Sequence, residues 1–84
     1  MQNIHMKNIN VEYFAILRER AGCDRETLAT TLNTPADLFA ELQARYKFPA
    51  MTSIKVAIND EFADFQSQLK DGDRVVFIPP VAGG

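Results

Sequence analysis

The chain of 84 residues predicts an α+β fold of two layers, a mixed sheet packed on one main helix. Three observations carry that prediction. Four short stretches alternate apolar with polar residues and are rich in β-branched and aromatic side chains, the pattern of half-buried strands. One stretch, Thr34 to Tyr46, instead sets Leu38, Phe39, Leu42 and Tyr46 on a single helical stripe. Two turn signals, Asn59-Asp60 and Asp71-Gly72-Asp73, then punctuate the C-terminal half.

In chain order, residues 1–8 are polar and unpatterned and are expected to be a loose leader. Ile9 to Ala15 predicts a strand with Ile9, Val11, Tyr13 and Ala15 on one face and Asn10, Glu12 and Phe14 on the other. Phe14 breaks the alternation, an apolar ring on the polar side. Ile16 to Ala21 predicts a short helix stopped by Gly22, with Leu17 and Ala21 toward the core. Arg25 to Leu32 alternates again, its threonines favouring a strand that pairs back on the first. Thr34, Pro35 and Asp37 form a helix start, with the hydroxyl at the cap, proline at the first helical position and an acid at the third. Pro49 marks the stop. Ser53 to Asn59 predicts a third strand, Glu61 to Leu69 a short extended or irregular segment, and Arg74 to Ile78 the last strand. In that last strand Val75 and Phe77 face one way, and Arg74, Val76 and Ile78 the other. Strand, strand, helix, strand, short strand, strand is the order of the β-grasp, or ubiquitin-like, architecture. Residues 9–78 form its domain and residues 79–84 an extended tail.

Composition narrows the function. Hydrophobic and charged fractions of 46% and 24% are those of an ordinary globular domain. The nine lysines and arginines are scattered in a chain of net charge −2, so nucleic acid is not an expected partner. No apolar run reaches membrane-spanning length, and the N-terminus lacks a signal-peptide core, so a cytoplasmic protein with no membrane contact is expected. The single Cys23 forms no internal disulfide, in keeping with a reducing compartment. Catalytic constellations are missing. His5 lies in the leader and Cys23 in a loop, which makes no dyad. Asp60, Glu61 and Asp64 have no His and no second cluster to complete a metal site, so no metal is expected.

What the chain does offer is its C-terminal end. Pro79-Pro80-Val81-Ala82-Gly83-Gly84 follows directly on the last strand. Without a Cβ, Gly83 and Gly84 can thread a channel closed to other residues. The two prolines stiffen the exit, so less entropy is lost on capture by a partner. Six residues beyond Ile78 reach roughly 20 Å. The carboxylate of Gly84 is the one group suited to activation as an acyl adenylate. Beside this tail, Phe14, Val76 and Ile78 share the sheet face opposite the helix if the first and last strands pair, and Phe62 extends the patch. Each such side chain is worth roughly 1.5–3 kcal/mol when fully buried, and a contiguous exposed patch marks an interaction site. Phe14, Phe62, Val76 and Ile78 are therefore expected to form a docking surface, with Pro79, Pro80, Val81 and Ala82 engaging the same partner.

The sequence resembles the MoaD family of ubiquitin-like sulfur carriers, the small subunits of molybdopterin synthase. The resemblance is carried by Y-F-A-I-L-R-E-R-A-G (Tyr13 to Gly22), V-A-I-N (Val56 to Asn59) and L-K-D-G-D-R-V-V-F-I-P-P-V-A-G-G (Leu69 to Gly84). Related thiamine-pathway carriers share the terminal Gly-Gly but usually lack the proline pair. Two positions depart from the family pattern, Arg74 where an acid is common and Ile78 where an aromatic is. The resemblance implies a non-catalytic subunit that binds no permanent cofactor. It implies an adenylyltransferase resembling ubiquitin-activating enzymes, which uses ATP and Mg²⁺ to adenylate Gly84, and a sulfur donor protein that converts Gly84 to a thiocarboxylate. It further implies docking on the large molybdopterin synthase subunit in a heterotetramer, where the sulfur passes to cyclic pyranopterin monophosphate. A carrier for thiamine thiazole or another sulfurated metabolite, and a ubiquitin-like protein modifier, remain the alternatives.

Overall fold

The structure is a computed structural model that describes residues 6–50 and 53–80. Its elements are β1 (Lys7–Tyr13), α1 (Ala15–Ala21), β2 (Arg25–Thr30), α2 (Pro35–Tyr46), β3 (Lys55–Ile58), β4 (Glu61–Ala63) and β5 (Arg74–Ile78). The five strands form one mixed sheet in the order β2-β1-β5-β3-β4. The central β1 and β5 run parallel, with Val11 opposite Val75 and Tyr13 opposite Phe77. The other three pairings are antiparallel. This is the expected β-grasp.

The alternation read in the sequence places one face of the sheet on the helix. Ile9, Val11, Tyr13, Val56, Val75 and Phe77 are buried and meet Leu38 and Leu42 of α2 and Leu17 of α1. Aromatic rings fill the interlayer space. Phe39 sits edge-on to Phe77 at 5.0 Å between centroids, and Tyr13 packs edge-on against Phe48 at 6.0 Å. The start of α2 forms as its residues dictate. The Thr34 hydroxyl accepts from the Asp37 N–H at 3.2 Å, and Pro35 occupies the first turn, where no N–H is needed. Lys47, in left-handed geometry, ends the helix.

Several boundaries differ from the sequence reading: β2 ends at Thr30 and β3 spans Lys55–Ile58, both shorter than expected, and β1 differs at both ends for local reasons. β1 begins at Lys7, because Lys7 and Asn8 pair with Thr30 and Ala29 of β2; of the expected leader, residues 1–5, His5 among them, lie outside the described residues. β1 ends at Tyr13, because Ala15 takes a left-handed φ of 53° that swings the chain straight into α1. Phe14 is therefore the residue capping α1 and not a strand residue, and Ala15 is helical. Gly22, at φ 78°, closes α1 in the left-handed conformation that glycine adopts without penalty.

A hydrogen-bonded knot fixes the start of β5. The Asp73 carboxylate, largely buried, accepts from the Lys70 N–H at 2.8 Å and from Asn59 Nδ2 at 2.9 Å. The Asn59 side-chain oxygen accepts from the Arg74 N–H at 3.0 Å, and its own N–H donates to the Arg74 carbonyl at 2.8 Å. The same turn meets β1, where the Asn8 N–H donates to Asp71 at 2.7 Å. Asn59 also lies in the left-handed region, at φ 52°, which asparagine tolerates better than most residues.

A second polar cluster joins sheet and helix. Tyr13 and Tyr46 each donate a hydroxyl to Glu26 Oε2 at 2.6 Å. Burial, followed by the bond to the Glu26 carboxylate, raises both phenols above their usual range.

Two outcomes follow. Asn59→Ala loses the bonds to Asp73 and Arg74, worth about 1–2 kcal/mol, and strains the turn by about 1–2 kcal/mol more, while Asn59→Gly relieves the strain alone. Urea unfolding should show the alanine variant destabilised about twice as much as the glycine variant. The unfolded chain releases its tyrosine protons near pH 10 whereas the folded protein retains them, so this stabilisation is full below about pH 10 and is lost as pH rises beyond it. Unfolding free energies measured across that range should fall less steeply for the Tyr13→Phe/Tyr46→Phe double variant.

Candidate docking surface

The sheet face opposite α2 is built by register. Glu12 of β1 lies opposite Val76 of β5, Val76 opposite Ala57 of β3, and Ala57 opposite Phe62 of β4. These four residues form one row across four strands, on the face that strand alternation turns away from the core. Phe14 joins them from the β1–α1 junction, and Ile78 from the next position outward on β5. Together with Asp60 and Arg74 they enclose an open depression of about 290 Å³. Phe62 is 76% exposed and Phe14 46%, whereas Val76 and Ile78 are half-buried in its floor. All four apolar residues expected on this face thus meet at one depression, and no described element covers it.

Sequence reasoning did not assemble the charged rim. The Arg74 guanidinium stands 3.6 Å from the Glu12 carboxylate and pairs with Asp60 on the β3–β4 turn. Glu12 and Arg74 share the outward phase of their strands, a signal present in the alternation. Asp60 reaches the same place only because Asn59 and Asp60 both turn through positive φ, at 52° and 73°. Two acids on one guanidinium leave the rim net negative. Exposed pairs of this kind add little stability.

The tail leaves the sheet beside this depression. Pro79 is buried against its own domain and Pro80 is exposed, so the exit stays anchored through Pro79. Val81, Ala82, Gly83 and Gly84 lie outside the described residues. Lys55, exposed, is the cross-strand neighbour of Ile78 at the tail's base.

Two further candidates lie among the described residues. Cys23 follows the turn after α1, and burial pushes its thiol up, away from the reactive thiolate. Asp64 folds on itself, accepting from the Gln66 N–H at 2.7 Å. Among the described residues, no group of three or more His, Cys, Asp and Glu side chains is placed to hold a metal ion, and no helix is long and apolar enough to cross a membrane.

Comparison with known proteins places this geometry. The model of the ThiS family matches residues 11–84. The chain is 40% identical to a molybdopterin synthase sulfur carrier subunit of Chlamydomonas reinhardtii, over 90% of this chain and 98% of that one. It is 35% identical to the protein so named in Mycobacterium tuberculosis, over 94% and 100%. Among solved structures it is similar to a putative molybdopterin converting factor subunit 1 from Pyrococcus furiosus, with TM-score 0.75, 29% identity, and coverage of 89% and 99%. The small archaeal modifier protein 1 of Methanosarcina acetivorans matches with TM-score 0.75 and 28% identity, over 95% and 99%. A chain of the complex of subunits 1 and 2 of the molybdopterin-converting factor from Helicobacter pylori matches with TM-score 0.60 and 29% identity, over 92% and 99%.

The two faces of the sheet should respond differently to truncation. Phe62→Ala, at an exposed site, should change the unfolding free energy by no more than about 0.5 kcal/mol. Phe77→Ala, in the core, should cost about 3–5 kcal/mol in the same urea titration.

Proposed function

Because the chain belongs to the ThiS family, we propose that it is a sulfur carrier, the small subunit of a molybdopterin synthase, and that its chemistry is done at Gly84. The observation that carries this reading is the near end-to-end similarity to curated sulfur carrier subunits, at 32–40% identity. The geometry supports it. A domain poor in catalytic groups sets an apolar depression beside an anchored exit, from which a Gly-Gly segment can be offered to another protein.

The residues divide the work. Phe14, Phe62, Val76 and Ile78 dock on the partner, and Pro79 and Pro80 aim the tail, so that Val81 and Ala82 carry Gly83 and Gly84 into its pocket. An adenylyltransferase of the ubiquitin-activating kind, with ATP and Mg²⁺, joins the Gly84 carboxylate to AMP and gives it a good leaving group. A sulfur donor protein displaces AMP and leaves a thiocarboxylate, ionised at neutral pH and a soft nucleophile. The carrier then docks on the large synthase subunit, where the sulfur passes to cyclic pyranopterin monophosphate. ATP and Mg²⁺ belong to the activating partner, and the acid–base groups to the large subunit.

A protein modifier joined to lysines through Gly84 is a second reading, favoured by the similarity to the archaeal modifier protein. Intact-mass measurement of the protein from its native host separates the two. A carrier shows a fraction with one oxygen replaced by sulfur at Gly84, and a modifier shows a ladder of heavier adducts on a denaturing gel. Deleting Gly84 should abolish sulfur transfer while leaving the fold intact; transfer that survives the deletion rules this mechanism out. Val76→Asp should weaken binding to the large subunit at least tenfold, the loss of roughly 1.5 kcal/mol or more of apolar burial.

A further inference from the structure

The acids beside the apolar depression are gathered at one end of it. Asp60 ends the β3–β4 turn, Glu61 opens β4, and the two lead directly into Phe62; all three residues are exposed. Glu12 stands on the same rim, opposite Val76. Against these carboxylates the rim holds one guanidinium, that of Arg74, shared between Glu12 and Asp60. The Asp60 side chain stays 79% exposed in that pair, so much of its carboxylate is open to a second cation. Glu61 enters no ion pair among the described residues.

The other cations of this face stand apart from the turn. Lys55 begins β3 next to Ile78, about 10 Å along the strand from Ile58, where the turn starts. Arg25 lies opposite Glu12 on the edge strand β2, three strand spacings, roughly 14 Å, from β3. At physiological ionic strength charges in water are screened over about 8 Å, so neither cation neutralises the turn.

An acidic turn against an apolar floor defines what fits there. An apolar side chain fills the depression of about 290 Å³ over Val76 and Ile78. A lysine or arginine on the same segment then meets Asp60 and Glu61, its stem and charge passing over the exposed ring of Phe62. An acidic segment of the same shape is repelled at that point.

We propose that the β3–β4 turn is the specificity element of the docking face, and that its occupant is a segment of the large synthase subunit carrying a basic side chain next to an apolar one. Apolar contact with Val76 and Ile78 supplies affinity. The charge of Asp60 and Glu61 decides which partner is admitted and how fast, because charges at the rim of an interface act mainly on the association rate.

This inference rests on the docking reading proposed above, and the test distinguishes the two. Association of the full chain with the large subunit is followed by stopped flow at low and at high salt. Asp60→Asn/Glu61→Gln, in which asparagine accepts the φ of 73° at residue 60, should unfold in urea as the wild type does. It should associate about three- to tenfold more slowly at low salt and at the wild-type rate at high salt. Glu19→Gln/Glu41→Gln removes the same net charge from the two helices and should change neither rate. An equal loss in both double variants assigns the effect to net charge and overturns the role of the turn. So does a loss that persists at high salt, or an association of Asp60→Asn/Glu61→Gln that is unchanged or faster; each leaves the docking reading standing if Val76→Asp still weakens binding. A wild-type chain that does not bind the large subunit overturns the docking reading and this inference with it.

Discussion

Setting β5 at the centre of the sheet, in parallel register with β1, obliges five consecutive residues to serve two surfaces. Val75 and Phe77 are fully buried against the helix layer, and Val76 and Ile78 form the floor of the depression on the other side. A slip of one residue would exchange the two sets and expose Phe77. The register is pinned at the start of the strand, where Asp73 and Asn59 bind the chain on both sides of Arg74. The core, the depression and the position of Pro79 therefore depend on one cluster of hydrogen bonds more than 10 Å, on the order of four strand residues, away.

The scaffold divides its chemistry unevenly. Polar groups in the interior are committed to structure: Glu26 accepts from two tyrosines, and Asp73 bridges two turns. Among the described residues, no buried side-chain nitrogen or oxygen lacks a hydrogen-bond partner. The described interior polar groups thus hold the elements together.

Much of this could be seen in the sequence where local rules suffice. Thr34, Pro35 and Asp37 are a complete helix start within four positions, and the alternation from Arg74 to Ile78 defines β5 without reference to any other strand. The common face of Phe14, Phe62, Val76 and Ile78 needed one further premise, that the first and last strands pair. The rest was hidden because it is tertiary. Ala15 has no residue signal for a left-handed turn, so the departure of Phe14 from β1 could not be foreseen. Glu26 shares the inward phase of Leu28, but nothing local shows that Tyr13 and Tyr46, from two other elements, converge on it. The ion pairs of Arg74 wait on the β3–β4 turn in the same way. The expectations for Val81, Ala82, Gly83 and Gly84 fall outside the described residues.

The parallel pairing of β1 with β5 also determines how the domain bears load. A pull on the tail, resisted at the N-terminal end of β1, acts along the two strands in opposite senses. The hydrogen bonds that join residues 10–13 to residues 74–77 are then sheared together instead of being peeled apart one after another. Rupture under force is governed by the unfolding rate, and a bond array that must fail as a unit slows it. Tension applied to the chain beyond β5 is therefore borne by the domain without its strands being peeled away one bond at a time.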